Sequence, residues 1–185
     1  MKNIVIFASG TGSNAENIIQ YFKNNTSKSV VAVFSNNSNA KVVEKAKKLG
    51  VQTVTFNKDE LYGDVVLSKI NKFKPDLIVL AGFLLKFPEH IIKEFNNKII
   101  NIHPALLPKY GGKGMYGNYV HQAVLDNKET ETGITIHFVN EHYDEGGIIF
   151  QKSISITDCS TFEEVSNKVH QLEQDYFPEV IDQLL

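Results

Sequence analysis

An asparagine and a histidine two residues apart offer the clearest chemistry in this sequence. Asn101 and His103 belong to the segment Asn101-Ile-His-Pro-Ala-Leu-Leu-Pro108. A neutral amide can hold an oxyanion or an amine by hydrogen bonds, and histidine can give or take a proton near neutral pH. Acyl transfer needs both, because its tetrahedral intermediate carries a negative oxygen and exchanges protons. The segment therefore indicates an acyl-transfer site, and the alternative is a capped turn around a buried histidine.

A polar loop at 140–147 holds a carboxylate that could complete such a site. It reads Asn140-Glu-His-Tyr-Asp-Glu-Gly-Gly147. If Asp144 meets His103, it would orient the imidazole and raise its pKa, which favours the imidazolium. A positive imidazole beside a developing oxyanion would help the reaction. A solvated acidic turn is the alternative interpretation.

A glycine-rich stretch, Ser9-Gly-Thr-Gly-Ser-Asn14, joins the first predicted strand to the first predicted helix. Glycines allow a tight turn, and a helix N-terminus with serine and asparagine donors favours anions. A dinucleotide site would need a third glycine where Ala15 stands and an acid after the second strand, where Ser35-Asn36-Asn37 stands instead. A mononucleotide phosphate is therefore the expected ligand, and a helix cap without a ligand is the alternative.

The remaining histidines and the cysteine give weaker signals. We expect His90, His121, His142 and His170 to be surface residues, whereas His137 either lines the site or satisfies a neighbour. No spacing matches a metal site or a serine-hydrolase elbow, so chemistry without a metal is expected. A single cysteine forms no internal disulfide and no cysteine-based metal site.

Alternating strands and helices must position these residues. The pattern predicts an α/β fold with a mostly parallel sheet and helices on both faces. Predicted strands are 4–8, 30–34, 51–56, 77–81, 98–100, 133–139 and 148–156, and predicted helices are 13–23, 40–49, 59–73, 88–95, 118–125 and 162–185. We expect strand 133–139 to be buried on one side only, with the last strand antiparallel to it. The backbone should leave the sheet before Asn101, at the carboxyl edge where ligands bind in open α/β sheets.

Size and charge restrict the class of protein. The 185 residues, 42% hydrophobic and 22% charged, predict one globular domain over 1–185. A net charge of −2 does not indicate binding to nucleic acid or to an anionic membrane, both of which favour a basic protein surface. No apolar run is long enough to span a membrane, and no signal peptide is evident, so we expect a cytoplasmic location. Small-molecule partners are expected, and the sequence does not distinguish a monomer from a homodimer.

Together with Ala81-Gly82-Phe83, these three motifs resemble the folate-dependent formyltransferases. The N-x-H-P-x-L-L-P motif is shared by the wider formyltransferase and deformylase group. The glycine-rich loop and the short length make the chain most similar to the phosphoribosylglycinamide formyltransferases, over essentially its whole length. This resemblance implies a Rossmann-like formyltransferase fold and transfer of a formyl group from 10-formyltetrahydrofolate to the amine of phosphoribosylglycinamide in purine biosynthesis.

The resemblance also implies roles for individual residues. Asn101, His103 and Asp144 match the family's catalytic trio. Asn101 and protonated His103 would stabilise the oxyanion. Asp144 would keep His103 charged and help move a proton, through water, from the amine to the leaving N10. The ribonucleotide would contact Thr11, Gly12, Ser13, Asn14 and Glu173. The folate would lie against Leu84, Leu85, Lys86, Phe87, Asn101, Asn140, Glu141, His142 and Asp144, and no metal is implied.

Three differences from relatives concern the folate end of the site. Leu84-Leu85-Lys86-Phe87 replaces the commoner Met-Arg-Ile-Leu. The segment 57–63 lacks the arginine that some members place near the folate tail, and the loop 109–119 is a few residues longer than usual. These differences bear on folate affinity and leave the catalytic trio intact.

Three other functions remain open at this stage. A formyltetrahydrofolate deformylase would use the same trio with water as acceptor, but normally carries an additional N-terminal domain. A methionyl-tRNA formyltransferase would need an RNA-binding domain and a basic surface. A non-catalytic nucleotide-binding module would explain the first loop and leave Asn101, His103 and Asp144 without a role.

Overall fold

Seven strands form one sheet in the computed structural model, which describes residues 1–185. They are β1 (Lys2–Phe7), β2 (Lys28–Ser35), β3 (Gln52–Thr55), β4 (Leu77–Leu80), β5 (Ile99–His103), β6 (Glu131–Phe138) and β7 (Ile148–Ser155). Their order is β3-β2-β1-β4-β5-β6-β7. The first five strands pair in parallel, whereas β6 and β7 are antiparallel. The predicted α/β class with a mostly parallel sheet is confirmed.

Seven helices cover the sheet. They are α1 (Ser13–Phe22), α2 (Lys41–Lys48), α3 (Lys58–Tyr62), α4 (Asp64–Phe73), α5 (Glu89–Glu94), α6 (Asn118–Asp126) and α7 (Phe162–Leu184). One hydrophobic core lies under α1, α2, α6 and α7. A second core, rich in phenylalanine, lies on the other face under α3, α4 and α5. Buried apolar side chains on both faces explain why the central strands are continuous apolar runs.

The predicted helix at 59–73 is wrong in one respect, because the structure divides it into α3 and α4. Gly63 has extended backbone angles between the two helices, and its N–H bonds to the carbonyl of Asp59. Asn57 and Glu60 form a reciprocal capping box at the start of α3. The apolar periodicity continues across the break, so the pattern did not reveal it.

The sequence also placed the end of β5 too early. We expected the backbone to leave the sheet before Asn101, but β5 continues to His103. The reason is β6, which pairs with it antiparallel and places Asn101 opposite His137 and His103 opposite Thr135. Asn101 and His103 therefore project from one face of a strand paired on both sides, a stiffer support than a loop.

Strand β6 is buried on both faces, contrary to the predicted one-sided strand. Every residue from Thr132 to His137 is buried. On one side the apolar residues pack into the larger core beneath α7. On the other side Thr135 bonds to Ala105, Leu107 and Gln151, so the polar positions face protein and not solvent.

The sheet changes direction between β1 and β4, which are neighbours. From β1 the chain proceeds outward to β2 and β3, then crosses back to β4 and β5 on the other side. Such a switch point leaves a crevice at the carboxyl ends of the two strands. Ser9 joins the loops there, since its hydroxyl donates to Asn36 at 2.6 Å and accepts from the N–H of Leu84 at 3.0 Å.

Candidate active site

A cavity of about 700 Å³ opens at this crevice. Its walls come from the loops after β1, β4 and β5, from 112–118, from 139–144 and from α7. It contains every residue that the sequence assigned to a site except Glu141, which is exposed and lies outside the wall. The lining assigned residues are Thr11, Gly12, Ser13, Asn14, Leu84, Leu85, Lys86, Phe87, Asn101, His103, Asn140, His142, Asp144 and Glu173.

His103 and Asp144 approach each other as the sequence suggested. Nδ1 of His103 lies 3.6 Å from Oδ2 of Asp144, and the His103 side chain is almost fully buried. On its other side, Nε2 lies 2.7 Å from the carbonyl oxygen of Tyr110. A carbonyl only accepts hydrogen bonds, so Nε2 carries a proton. In the neutral imidazole, Nδ1 is therefore the basic nitrogen that faces Asp144.

The charge on His103 differs from the sequence-based expectation. Burial lowers the pKa of His103, and this outweighs the opposing effects of Asp144 and of the Tyr110 carbonyl. The nearby His137 lowers it further. The prediction of a raised pKa and a resting imidazolium is therefore wrong, because desolvation of the charged ring exceeds its attraction to one carboxylate.

Asp144 is held as a carboxylate by its neighbours. Burial raises its pKa, but contacts with His137 and His103 and a hydrogen bond from the N–H of Gly112 together lower it below its ordinary value. The Gly112 N–H donates to Oδ2 at 2.8 Å, and Nε2 of His137 lies 3.6 Å from Oδ1. Asp144 is thus ionised and reaches both histidines.

His137 lines the site, which is one of its two predicted roles, the other being a hydrogen bond to a neighbouring residue. Its Nδ1–H donates to the carbonyl of Phe138 at 2.8 Å, which leaves Nε2 free to accept from the Asn101 amide at 3.1 Å. The Asn101 amide nitrogen has two hydrogens, so one is fixed on His137 and the other can donate into the cavity. The direct cross-strand pairing of Asn101 with His137 could be recognised only once the β5–β6 register was known.

The glycine-rich loop and α7 meet across the cavity. Gly12 caps α1 with a φ of 70°, and no side chain caps the first N–H groups of the helix. Nδ2 of Asn14 donates to Oε2 of Glu173 at 2.9 Å, and Gln174 donates back to Asn14 at 2.7 Å. Uncapped N–H groups at the start of a helix suit an anion. A carboxylate lies beside them on α7.

Three histidines expected at the surface line the cavity, namely His121, His142 and His170. His142 is exposed, as expected, and His170 is half-buried, whereas the expectation is wrong for His121. His121 is 4% exposed, its Nδ1 has no hydrogen-bond partner, and burial lowers its pKa. His170 bonds Glu173 at 3.2 Å, and this contact raises its pKa. Val120 and Val124 lie on the buried face of α6, and His121 lies there too. The sequence pattern did not indicate that His121 is buried.

The segment 84–87 forms the apolar end of the cavity. Leu84 is exposed, whereas the Phe87 ring is buried against Phe7 at 5.0 Å between ring centroids. The Tyr62 hydroxyl donates to the Lys86 carbonyl at 3.0 Å and fixes the segment to α3. A planar heterocycle could lie here between apolar side chains and backbone polar groups.

No group of three or more histidine, cysteine, aspartate or glutamate side chains is arranged to hold a metal ion. None of the helices is long and apolar enough to cross a membrane.

A parallel sheet with a cavity at its switch point, and an amide, an imidazole and a carboxylate within it, define a protein of the acyl-transfer class. The chain belongs to the formyl transferase family, whose model matches residues 2–181. The resemblance to folate-dependent formyltransferases inferred from the motifs is thereby confirmed at the level of the family.

The individual relatives carry a more specific name. The chain is 37% identical to the chloroplastic phosphoribosylglycinamide formyltransferase of Vigna unguiculata, covering 99% of this chain and 61% of that protein. It is 33% identical to the phosphoribosylglycinamide formyltransferase of Bacillus subtilis, covering 100% of this chain and 95% of that one. The crystal structure of glycinamide ribonucleotide transformylase 1 from Geobacillus kaustophilus superposes with a TM-score of 0.91 at 29% identity, over 100% of this chain and 99% of that chain. The chain thus spans about three fifths of the plant relative's length.

Proposed function

We propose that this protein transfers the formyl group of 10-formyltetrahydrofolate to the amine of 5'-phosphoribosylglycinamide, in de novo purine biosynthesis. The products are formylglycinamide ribonucleotide and tetrahydrofolate. The observation that carries the proposal is the convergence of Asn101, His103 and Asp144 on one cavity at the switch point. The names of the relatives support the same reaction.

The ribonucleotide end of the cavity is the glycine-rich loop. The free N–H groups at the start of α1, with Ser13 and Asn14, suit the phosphate. Glu173, held by Asn14, can accept hydrogen bonds from the ribose hydroxyls. We therefore propose that the glycinamide amine lies toward the centre of the cavity, near Asp144.

The folate end is formed by the segments 84–87 and 140–144. The cavity volume lies within the range of about 300–1,000 Å³ found for small-molecule sites, and Leu84, Leu85 and Val139 supply apolar surface. All 19 basic residues of the chain are lysines, and Lys86 and Lys113 line the cavity. An acidic folate tail would therefore meet point-like ammonium charges and not a bidentate guanidinium.

Proton movement follows from the ionisation of the trio. The amine nitrogen bonds to the formyl carbon, the bond from that carbon to N10 breaks, and one proton passes from the amine to N10. Neutral His103 can accept that proton at Nδ1, with ionised Asp144 stabilising the cation formed. The imidazolium and the free N–H of Asn101 then act on the oxyanion, so the positive charge arises during the reaction.

We propose the cytoplasm as the place of this activity, because a chain with one cysteine needs no oxidising compartment. The site as described needs no residue from a second copy, so a monomer would suffice and a homodimer is equally compatible. One domain over 1–185 remains our prediction.

A spectrophotometric assay of tetrahydrofolate formation, run with and without the ribonucleotide, tests the proposed function. We expect turnover that requires phosphoribosylglycinamide. Turnover independent of the ribonucleotide would indicate a deformylase, and absence of turnover in folded protein would contradict formyl transfer to this acceptor.

A further inference from the structure

A chain of hydrogen bonds connects the surface of the protein to His103. Nε2 of His103 donates to the carbonyl of Tyr110 at 2.7 Å. The Tyr110 hydroxyl in turn donates to Oε1 of Glu129 at 2.9 Å. Glu129 lies in the turn between α6 and β6 and is not part of the cavity wall. A carboxylate outside the site is thus linked to the imidazole inside it.

The backbone of Tyr110 has a conformation that tyrosine rarely adopts, with a φ of 57°. Such a residue costs free energy and persists only where its surroundings hold it in place. The Tyr110 ring packs against the larger core, and its hydroxyl is fixed by Glu129. These two contacts determine where the Tyr110 carbonyl points.

The ionisation of the two residues fits this arrangement. Hydrogen bonds from Lys109 and Tyr110 lower the pKa of Glu129, so it is a carboxylate at neutral pH. Burial and the contact with Glu129 raise the pKa of Tyr110, so its hydroxyl keeps the proton that it donates. Lys109 contacts the same Glu129 oxygen from the solvent side at 2.9 Å.

We propose that Glu129 and Tyr110 are positioning residues that keep the proton of His103 on Nε2, leaving Nδ1 available for proton transfer beside Asp144. This inference rests on the proposed formyl transfer. The other ionisable groups that act on His103 are Asp144 and His137, with Glu173 and His121 further along the cavity. Changes at 110 and 129 leave all of them in place.

The kinetic test compares Tyr110→Phe and Glu129→Ala with Tyr21→Phe, a control that removes an exposed hydroxyl on α1. We expect kcat to fall about tenfold in the first two variants, the loss of one charge-assisted hydrogen bond, with the KM for the ribonucleotide unchanged. Glu129→Gln keeps an acceptor for the hydroxyl and should recover most of kcat. The double variant should be no slower than either single variant, since both break one chain of contacts.

The pH profile and the tautomer give readouts that loss of structure alone would not produce. The Tyr110 carbonyl raises the pKa of His103. Its displacement should therefore move the acid limb of the kcat profile to lower pH. Nitrogen NMR of labelled histidine should show His103 protonated on Nε2 in the wild type and a mixture of tautomers in Tyr110→Phe and Glu129→Ala.

Unchanged kcat, acid limb and tautomer in Tyr110→Phe and Glu129→Ala would overturn the inference, as would an equal loss in Tyr21→Phe. An active wild type with unaffected variants would contradict this inference alone. An inactive wild type whose tautomer still changes in the variants would contradict the proposed formyl transfer and support the positioning role.

Discussion

The behaviour of His103 depends on which of its two nitrogens carries the proton. The Tyr110 carbonyl accepts a hydrogen bond from the Nε2–H, and Asp144 faces the unprotonated Nδ1 across 3.6 Å. An imidazole that is neutral at rest can accept a proton from the attacking amine, whereas a permanent imidazolium could not. The lowered pKa of His103 therefore suits the proposed chemistry better than the raised pKa expected from its carboxylate neighbour.

Replacement of the reacting side chains should separate chemistry from binding. We expect His103→Ala and Asp144→Asn each to lower kcat by about 10²–10⁴-fold, because the first removes the proton acceptor and the second removes the charge that stabilises its protonated form. The ribonucleotide Kd should change little, since its proposed contacts are the α1 loop and Glu173. Steady-state kinetics and calorimetry measure the two quantities. Near-normal turnover in both variants would contradict the assigned roles.

At the scale of elements, the segment after β5 is held in shape by one threonine of β6. Oγ1 of Thr135 donates to the carbonyl of Ala105 at 2.7 Å and accepts from the N–H of Leu107 at 3.0 Å. Nε2 of Gln151 on β7 donates both to this oxygen and to the carbonyl of Leu107. Three consecutive elements thus fix the turn that follows His103.

Thr135→Val should therefore destabilise the fold. Valine has nearly the same shape but leaves the buried Leu107 N–H without an acceptor and the Ala105 carbonyl without its donor, which costs about 1–3 kcal/mol. Urea unfolding monitored by circular dichroism would measure the loss. Thr55→Val, at an exposed β3 position with no side-chain hydrogen bond, is the control and should leave stability nearly unchanged. An equal effect of the two substitutions would rule out this account of the turn.

The loop after β1 depends on a glycine that has no room for a side chain. Gly12 has a φ of 70°, and a Cβ there would collide with Val42 at the start of α2. Gly12→Ala should lower the unfolding midpoint and raise the KM for the ribonucleotide. Gly10→Ala, at a position with open space, should leave the unfolding midpoint within experimental error. Equal stability of the two variants would show that the close approach to α2 is unimportant.

The sequence predicted the parallel part of the sheet well because fully buried strands appear as continuous apolar runs. The glycine-rich loop, the Asn101–His103 pair and Asp144 were found because their residue types carry chemistry. The burial of His121 and the pairing of Asn101 with His137 were not found, since both depend on contacts distant in sequence. The sequence did not predict that the pKa of His103 is lowered, because a motif does not indicate how deeply its residues are buried.

At the scale of the whole molecule, two buried histidines connect stability to pH. The pKa values of His103 and His121 are lowered by burial, so the unfolded chain binds protons more readily than the folded protein below the ordinary histidine value of 6.5. The free energy of unfolding should therefore decrease as pH falls below 6.5. His170 acts in the opposite direction, because Glu173 raises its pKa and its charged form stabilises the fold at acid pH.

His121→Asn isolates one part of this effect. The substitution removes a buried imidazole with an unpartnered Nδ1, whose charged form would lack hydration in the folded protein. Urea midpoints measured at about pH 7.5 and pH 5.5, on either side of the ordinary histidine pKa, should fall less in His121→Asn than in the wild type. An equal fall in both proteins would mean that His121 does not contribute to acid destabilisation.

We propose above that the cavity at the switch point moves a formyl group between two bound substrates. The most direct test of this proposal follows an isotopically labelled formyl carbon by NMR in a mixture of donor, ribonucleotide and enzyme. We predict that the label appears in the formylated amide of the ribonucleotide, at a rate at least about a hundredfold lower in Asp144→Asn. Label released as formate whether or not the ribonucleotide is present, or label that stays on the donor, would contradict the account.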